Sequence, residues 1–94
     1  MLFAIVCMDK ADHSHVRMEN RPAHLEYLKG HADNAVFVGP MLTDDGEGMI
    51  GSLLVMNFDD KSGADEFAAN DPYAKAGLFE TVTIAPWKKV IPAD

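Results

Sequence analysis

The sequence predicts an α+β domain: four antiparallel strands in one sheet, with helices packed on one of its faces. Three observations lead there. Apolar runs rich in strand formers lie at 2–8, 35–38, 50–58 and 78–87, helical apolar spacing fills the two longer intervals between them, and 94 residues hold one domain.

Leu2 to Met8 is a continuous apolar run closed by Asp9-Lys10-Ala11-Asp12, and it forms the first strand. Residues 13–33 mix charges with Leu25, Leu28 and Ala32 at helical spacing. Pro22 has no backbone N–H and suits a first turn, with Asn20 as its cap, so the spacing predicts a short turn over 14–19 and the main helix over 21–33. Ala35-Val36-Phe37-Val38 is the second strand, stopped by Gly39-Pro40, and Thr43 to Gly48 is an acidic, glycine-containing hairpin loop. Ile50 to Phe58 is the third strand. Asp59-Asp60 ends it and caps a helix whose buried stripe is Ala64, Phe67 and Ala68. Asn70 suits a left-handed cap, Asp71-Pro72 restarts a helical turn with aspartate as cap and proline at its first position, and Gly77 ends that turn. Leu78 to Trp87 is the fourth strand, with Val82 and Ile84 on one side and Thr81 and Thr83 on the other. The order β-α-β-β-α-β is that of the ferredoxin-like fold.

Composition narrows the function. Hydrophobic residues make up 48% and charged residues 24%, the balance of a soluble globular protein. Eight basic against 15 acidic residues give a net charge of −7, which excludes nucleic acid as a partner. No apolar run approaches the ~20 residues that cross a bilayer, so no membrane role is expected. Cys7 is the one cysteine, and the N-terminus lacks a secretory signal, so a cytoplasmic location is expected. The first and third strands do not alternate. Phe3, Ile5 and Cys7 point to one face and Leu2, Ala4, Val6 and Met8 to the other, so both faces need cover. The simplest cover for the second face is the same face of another copy, giving a sheet-to-sheet homodimer or a higher assembly built from it. A small chain gains most from such burial.

Four histidines are candidates for chemistry. His13 and His15 lie in the polar connection after the first strand with no cysteine pattern nearby, and read as exposed residues rather than metal ligands. His31 suits the negative end of the helix dipole. His24 falls near the start of the predicted helix, where the positive dipole end favours a neutral imidazole fit to act as a base; a half-buried structural histidine is the equal alternative. Asp71 reads first as a cap, and its second oxygen is free to accept a histidine proton. No glycine-rich phosphate loop is present, so no nucleotide cofactor is expected. Cys7 reads as a core residue, and Asp44, Asp45, Glu47, Asp59 and Asp60 as loop and cap residues without calcium-site spacing. The residues imply neither a metal nor a cofactor.

Several pieces then fall in one order: Met8-Asp9-Lys10, Arg17, Arg21-Pro22-Ala23-His24-Leu25, Val38-Gly39-Pro40-Met41, Gly51-Ser52, Asn70-Asp71-Pro72-Tyr73, Ala76-Gly77 and Pro86-Trp87-Lys88-Lys89-Val90. This set resembles the YCII-related (YciI-like) family over nearly the whole chain, with the R-P-x-H-L and D-P-Y pieces the most specific. The resemblance implies a ferredoxin-like fold that dimerises into an α+β barrel, shared with muconolactone isomerases and cofactor-free monooxygenases. It implies a histidine and aspartate pair at His24 and Asp71, and reactions such as dehydrochlorination of a chlorinated hydroxyhydroquinone. The segment from Met41 to Ile50 is shorter than in many members.

The expected function is therefore a cofactor-independent lyase or isomerase acting on a small cyclic or aromatic metabolite. His24 is its general acid/base held by Asp71, and Tyr73, Ser52, Arg21 and Pro40 bind the substrate. Beside it stand two readings from other classes: a non-catalytic dimeric module that binds a small molecule or a protein, and a purely structural pair in which Asp71 caps and His24 packs.

Overall fold

In the computed structural model, which describes residues 1–93, the chain runs β1 (Leu2–Asp9), α1 (Ser14–Lys29), a 3₁₀ turn (Ala32–Asn34), β2 (Ala35–Leu42), β3 (Met49–Asn57), α2 (Lys61–Asn70), α3 (Pro72–Lys75) and β4 (Phe79–Pro86). All neighbouring strands are antiparallel, in the order β2-β3-β1-β4. This is the ferredoxin-like α+β architecture that the order of apolar runs predicts. No helix among the described residues is long and apolar enough to cross a membrane.

Period two along the central strands builds the core. Phe3, Ile5 and Cys7 of β1 face the helices and are buried, and their β3 partners Met56, Leu54 and Ser52 are buried on the same face. Phe67 and Ala68 of α2 close over Ile5, Leu54 and Met56, with Tyr27 and Leu28 of α1 packed at the side. The large apolar side chains among these, Phe3, Ile5, Leu54, Met56 and Phe67, each contribute about 1.5–3 kcal/mol by leaving water. Asp60 caps α2 as expected: it accepts from Ser62 Oγ at 2.6 Å and from the Gly63 N–H at 3.1 Å. Those bonds, Ser62 first, hold its carboxyl below the usual range.

The first helix departs from the prediction. It begins at Ser14, runs through Pro22 without a break and ends at Lys29. Pro22 lies on the exposed side, next to Met18, so the one missing bond falls where solvent can replace it. Asn20 is no cap; its Nδ2 donates to the Val16 carbonyl. Nor does Gly39-Pro40 end the second strand, which continues to Leu42 with Pro40 opposite Ser52. β2 is an edge strand, and an edge tolerates a residue without a donor. Asn70 stays helical as the last residue of α2 and donates to the Glu66 carbonyl, while the left-handed positions are Asp12 (φ 60°) in the β1–α1 turn, Gly46 (φ 76°) in the hairpin and Gly77 (φ 76°) after α3.

The sheet face away from the helices carries Val6, Met8, Leu53, Phe37 and Met41, as the register requires. Trp87 reaches it and meets Phe37 edge-on at 6.1 Å, and Val55 is buried, yet Phe37 and Leu53 remain 48% and 37% exposed. Gly51 sits where the backbones crowd: a Cβ there would collide with the Cys7 carbonyl oxygen and lie 2.9 Å from Met41 Cε. Gly51→Ala should therefore lower stability by about 1–3 kcal/mol, read as a lower urea midpoint at unchanged slope.

Candidate active site

The uninterrupted α1 gives the site its backbone. Arg17, Arg21, His24 and Leu28 follow each other at four, three and four residues, one stripe of the helix, and line one cavity. Opposite this stripe lie Val38 and Pro40 of β2 and Ser52 of β3; Tyr73 of α3 closes the end. The cavity measures about 110 Å³.

Local chain geometry fixes Asp71. It caps α3 ahead of Pro72, with Oδ1 accepting from the Tyr73 N–H at 2.9 Å. The same oxygen lies 2.9 Å from His24 Nδ1, and both side chains are buried. Cap and partner thus share one oxygen, where the sequence reading gave each its own. An ionised carboxylate only accepts, so Nδ1 carries the proton in this pair. Nε2 has no hydrogen bond among the described residues, whereas every sealed side-chain nitrogen and oxygen there has a partner; Nε2 therefore opens on the cavity that His24 lines. The Tyr73 ring stacks on the imidazole at 3.8 Å and 12°, which fixes the imidazole plane. The positive end of the helix dipole does not act on His24 as expected, because this residue lies deep within α1 rather than in its first turn.

A second buried pair stands beside the first. Arg17 grips Asp9 with two hydrogen bonds, Nε to Oδ2 at 2.7 Å and Nη2 to Oδ1 at 2.8 Å, and Nη2 also donates to Ser52 Oγ at 3.2 Å. Its guanidinium carbon lies 4.7 Å from the centre of the Tyr73 ring. Burial disfavours the Arg17 charge, but the Asp9 hydrogen bonds and charge outweigh it and raise its pKa above the ordinary value. Burial raises the Tyr73 pKa despite the opposing guanidinium, so the phenol stays protonated at neutral pH. Ser52 Oγ accepts from Arg17, which leaves its own O–H as a donor, and the residue lines the cavity.

The expected residues His24, Tyr73, Ser52, Arg21 and Pro40 thus meet around one cavity, with Asp71 behind the imidazole. Arg21 is exposed at its mouth, within reach of the Tyr73 field. Arg17 and Asp9 join them though neither is among the expected site residues; the signals for them are their place among the pieces that resemble the family and, for Arg17, its seven-residue spacing from His24 in an unbroken helix. His13 and His15 stay apart from it, their rings 5.9 Å from each other, and His13 Nδ1 bonds the Ala11 carbonyl at 2.7 Å. No three metal-ligating side chains gather among the described residues. His31 follows α1, bonds the Tyr27 carbonyl at 3.1 Å and packs edge-on to Phe67.

Residues 1–88 match the YCII-related domain. The chain belongs to the YCII-related family. It is 37% identical to Protein YciI of Escherichia coli O6:H1 over 97 aligned positions, covering 96% of this chain and 99% of that protein. Among solved structures, it resembles the 5-chloro-2-hydroxyhydroquinone dehydrochlorinase TftG of Burkholderia phenoliruptrix AC1100, in complex with 2,5-dihydroxybenzoquinone. That likeness has a TM-score of 0.91 at 35% identity, over 100% of both chains. An antibiotic biosynthesis monooxygenase shares the fold at a TM-score of 0.57 and 11% identity, covering 96% of this chain and 99% of that one.

Cys7 lies on the β1 face that leads to this YCII-related site, opposite Ser52. Burial, then the charges of Asp71 and Asp9, push its thiol up to about 12, with Arg17 opposing. At pH 8 iodoacetamide should therefore alkylate Cys7 at least about a hundredfold more slowly in the native protein than in urea, since only the thiolate reacts. The unfolded thiol ionises first as pH rises from about 9 to about 12, so this group withdraws stability over that window; Cys7→Ala should flatten that part of an alkaline stability curve.

Proposed function

We propose that this YCII-related protein is a cofactor-independent lyase or isomerase that moves protons on a small hydroxylated ring, with His24 as general acid/base and Asp71 as its orienting partner. The observation that carries the reading is the buried His24–Asp71 contact at 2.9 Å, with the other imidazole nitrogen turned to a cavity the size of one ring. The likeness to a dehydrochlorinase over the full chain supports the same class of reaction.

The chemistry needs one imidazole. Nε2 takes the proton of a ring hydroxyl and returns it to the adjacent ring carbon bearing the leaving group, so that the enol becomes a ketone. Nε2 then takes the proton of the hydroxyl para to that ketone; the O–H pair becomes the second carbonyl, the ring double bond shifts, and the leaving group departs with its bonding pair. The net change is loss of HX and formation of a quinone without an external oxidant. Stopped after the first transfer, the same steps are an isomerisation. Ser52 and Tyr73 donate to the ring oxygens as charge develops on them. Asp9, Asp71 and Arg17 leave one net negative charge beside a neutral His24, and proton uptake cancels it, so the buried site is not asked to hold an added charge. Ser52 has Arg17 rather than His24 as its hydrogen-bond partner, which favours proton transfer over acyl transfer.

Chloride release from 5-chloro-2-hydroxyhydroquinone is the first assay. His24→Ala should lower kcat by about 10²–10⁴-fold with the fold retained. Asp71→Asn should lower it less, because an amide oxygen in the place of Oδ1 still accepts from both Tyr73 N–H and Nδ1–H and only the charge is lost; Asp71→Ala should also lose the cap, about 1 kcal/mol of stability. Undiminished turnover by His24→Ala removes the proton-transfer reading, and ligand binding without turnover by the wild type favours the non-catalytic module.

The exposed apolar face of the sheet supports a homodimer packed face to face, its pairs centred on Leu53 and Phe37. Sedimentation at micromolar concentration should give a dimer for the wild type and a folded monomer for Leu53→Glu. A wild-type monomer would refute the packing.

A further inference from the structure

The cavity beside His24 does not end at its own walls. Arg17, Arg21, Leu25 and Met49 also line a second, larger groove of about 700 Å³, between the outer side of α1 and the β2–β3 hairpin loop. The inner cavity, at about 110 Å³, has room for one ring; the groove has room for a substituent several atoms long. Its remaining walls include Met18 and Pro22 of α1, and Met18 is 74% exposed and Leu25 39% exposed with no other element covering them. Two cations border the groove, and they differ. Arg17 is committed to Asp9 through two hydrogen bonds and cannot neutralise a ligand without leaving a carboxylate buried and unpaired. Arg21 is exposed, lines both the cavity and the groove, and among the described residues has no carboxylate within ion-pair distance. Across the groove, Glu47 of the hairpin loop is the one acidic side chain on the wall.

We infer that the substrate carries, on its reacting ring, a short apolar arm ending in a carboxylate, with the arm lying along Met18, Leu25 and Met49 and the carboxylate held by Arg21. This rests on the proposed site at His24 and adds to it the class of molecule that fits. Apolar walls select the arm, the one uncommitted guanidinium at the junction selects an anion, and a planar guanidinium meets a carboxylate through two parallel hydrogen bonds. Glu47 repels that anion and keeps its hold weak enough for release.

The test uses 2,5-dihydroxybenzoquinone as the bare-ring probe and compares 2,5-dihydroxyphenylacetate with its methyl ester, following the ring resonances of His24 and the dissociation constants by NMR. The wild type should bind the acid about two- to fivefold more tightly than the ester, the preference expected of an exposed ion pair. Arg21→Met should abolish the preference while still binding the ester, and Glu47→Gln should increase it. Equal binding of acid and ester by the wild type, or a preference that survives in Arg21→Met, overturns the inference while leaving the ring site in place. If the bare ring and both arm-bearing probes leave the His24 resonances unmoved, the proposed site itself fails, and the inference with it.

Discussion

One carboxylate oxygen holds the candidate site together. Asp71 Oδ1 accepts the Tyr73 N–H that begins α3 and the His24 Nδ1–H that projects from α1, so the same atom ends one helix and aims a side chain of another. Tyr73, whose backbone N–H makes the cap bond, returns its ring to stack on the imidazole. The imidazole is thereby fixed by a hydrogen bond in its plane and an aromatic wall on its face, leaving rotation about neither axis. Such fixing from two directions is what a proton-transfer group needs. It also makes the fold and the candidate site inseparable here, because the oxygen that caps the helix is the oxygen that orients the imidazole.

Buried charge is the second constraint. Leaving water costs an ion several kcal/mol unless a partner with good geometry repays it, and Arg17, Asp9 and Asp71 are all nearly sealed. The fork of Arg17 answers the cost for Asp9, and its Nη2 also reaches Ser52. The guanidinium also lies against Tyr73, an attraction of about 0.5–2 kcal/mol. Tyr73 is consequently the wall on which both buried pairs converge, one through stacking and the other through charge. The two arginines of α1 therefore differ in kind: Arg17 is buried and bonded to Asp9 and Ser52, and Arg21 is exposed at the cavity mouth.

Much of this was legible in the chain, and the reasons for the remainder are physical. Strands announce themselves by local apolar runs bounded by Asp, Gly and Pro, which is why the β-α-β-β-α-β order could be read directly. Asp71 before Pro72 reads as a cap because its bonds are made two residues away. Pro22 misled because a proline's effect depends on which side of the helix it occupies, and that side is decided by packing. With α1 broken there, Arg17 fell outside the helix and its spacing from His24 carried no meaning. The pairing of Arg17 with Asp9 was invisible for a further reason: an arginine has the same letter whether sealed or solvated, and only the fold brings position 9 under position 17.

Position 9 also explains why a site exists at this end of the molecule. Along β1 the helix-facing series runs Phe3, Ile5, Cys7 and then Asp9, and the opposing series on β3 runs Met56, Leu54 and Ser52. Both strands turn from apolar to polar at this end of the sheet, β3 at Ser52 opposite Cys7 and β1 two residues further on at Asp9, and β1 shifts register against β4 between Met8 and Asp9, so the ladder itself changes there. Away from that end, side chains from the sheet and α2 fill the space between them. At it, Asp9 and Ser52 cannot fill the same volume with hydrocarbon; they instead hold Arg17, and a cavity remains between α1 and β2. Cys7 marks the boundary: its thiol sits at the last apolar level and feels both carboxylates above it strongly enough that their charge adds to burial in opposing ionisation. The candidate site is the unfilled end of the core, closed by buried side chains on the side of Cys7 and open on the side of the exposed Arg21, with the His24 imidazole set between them.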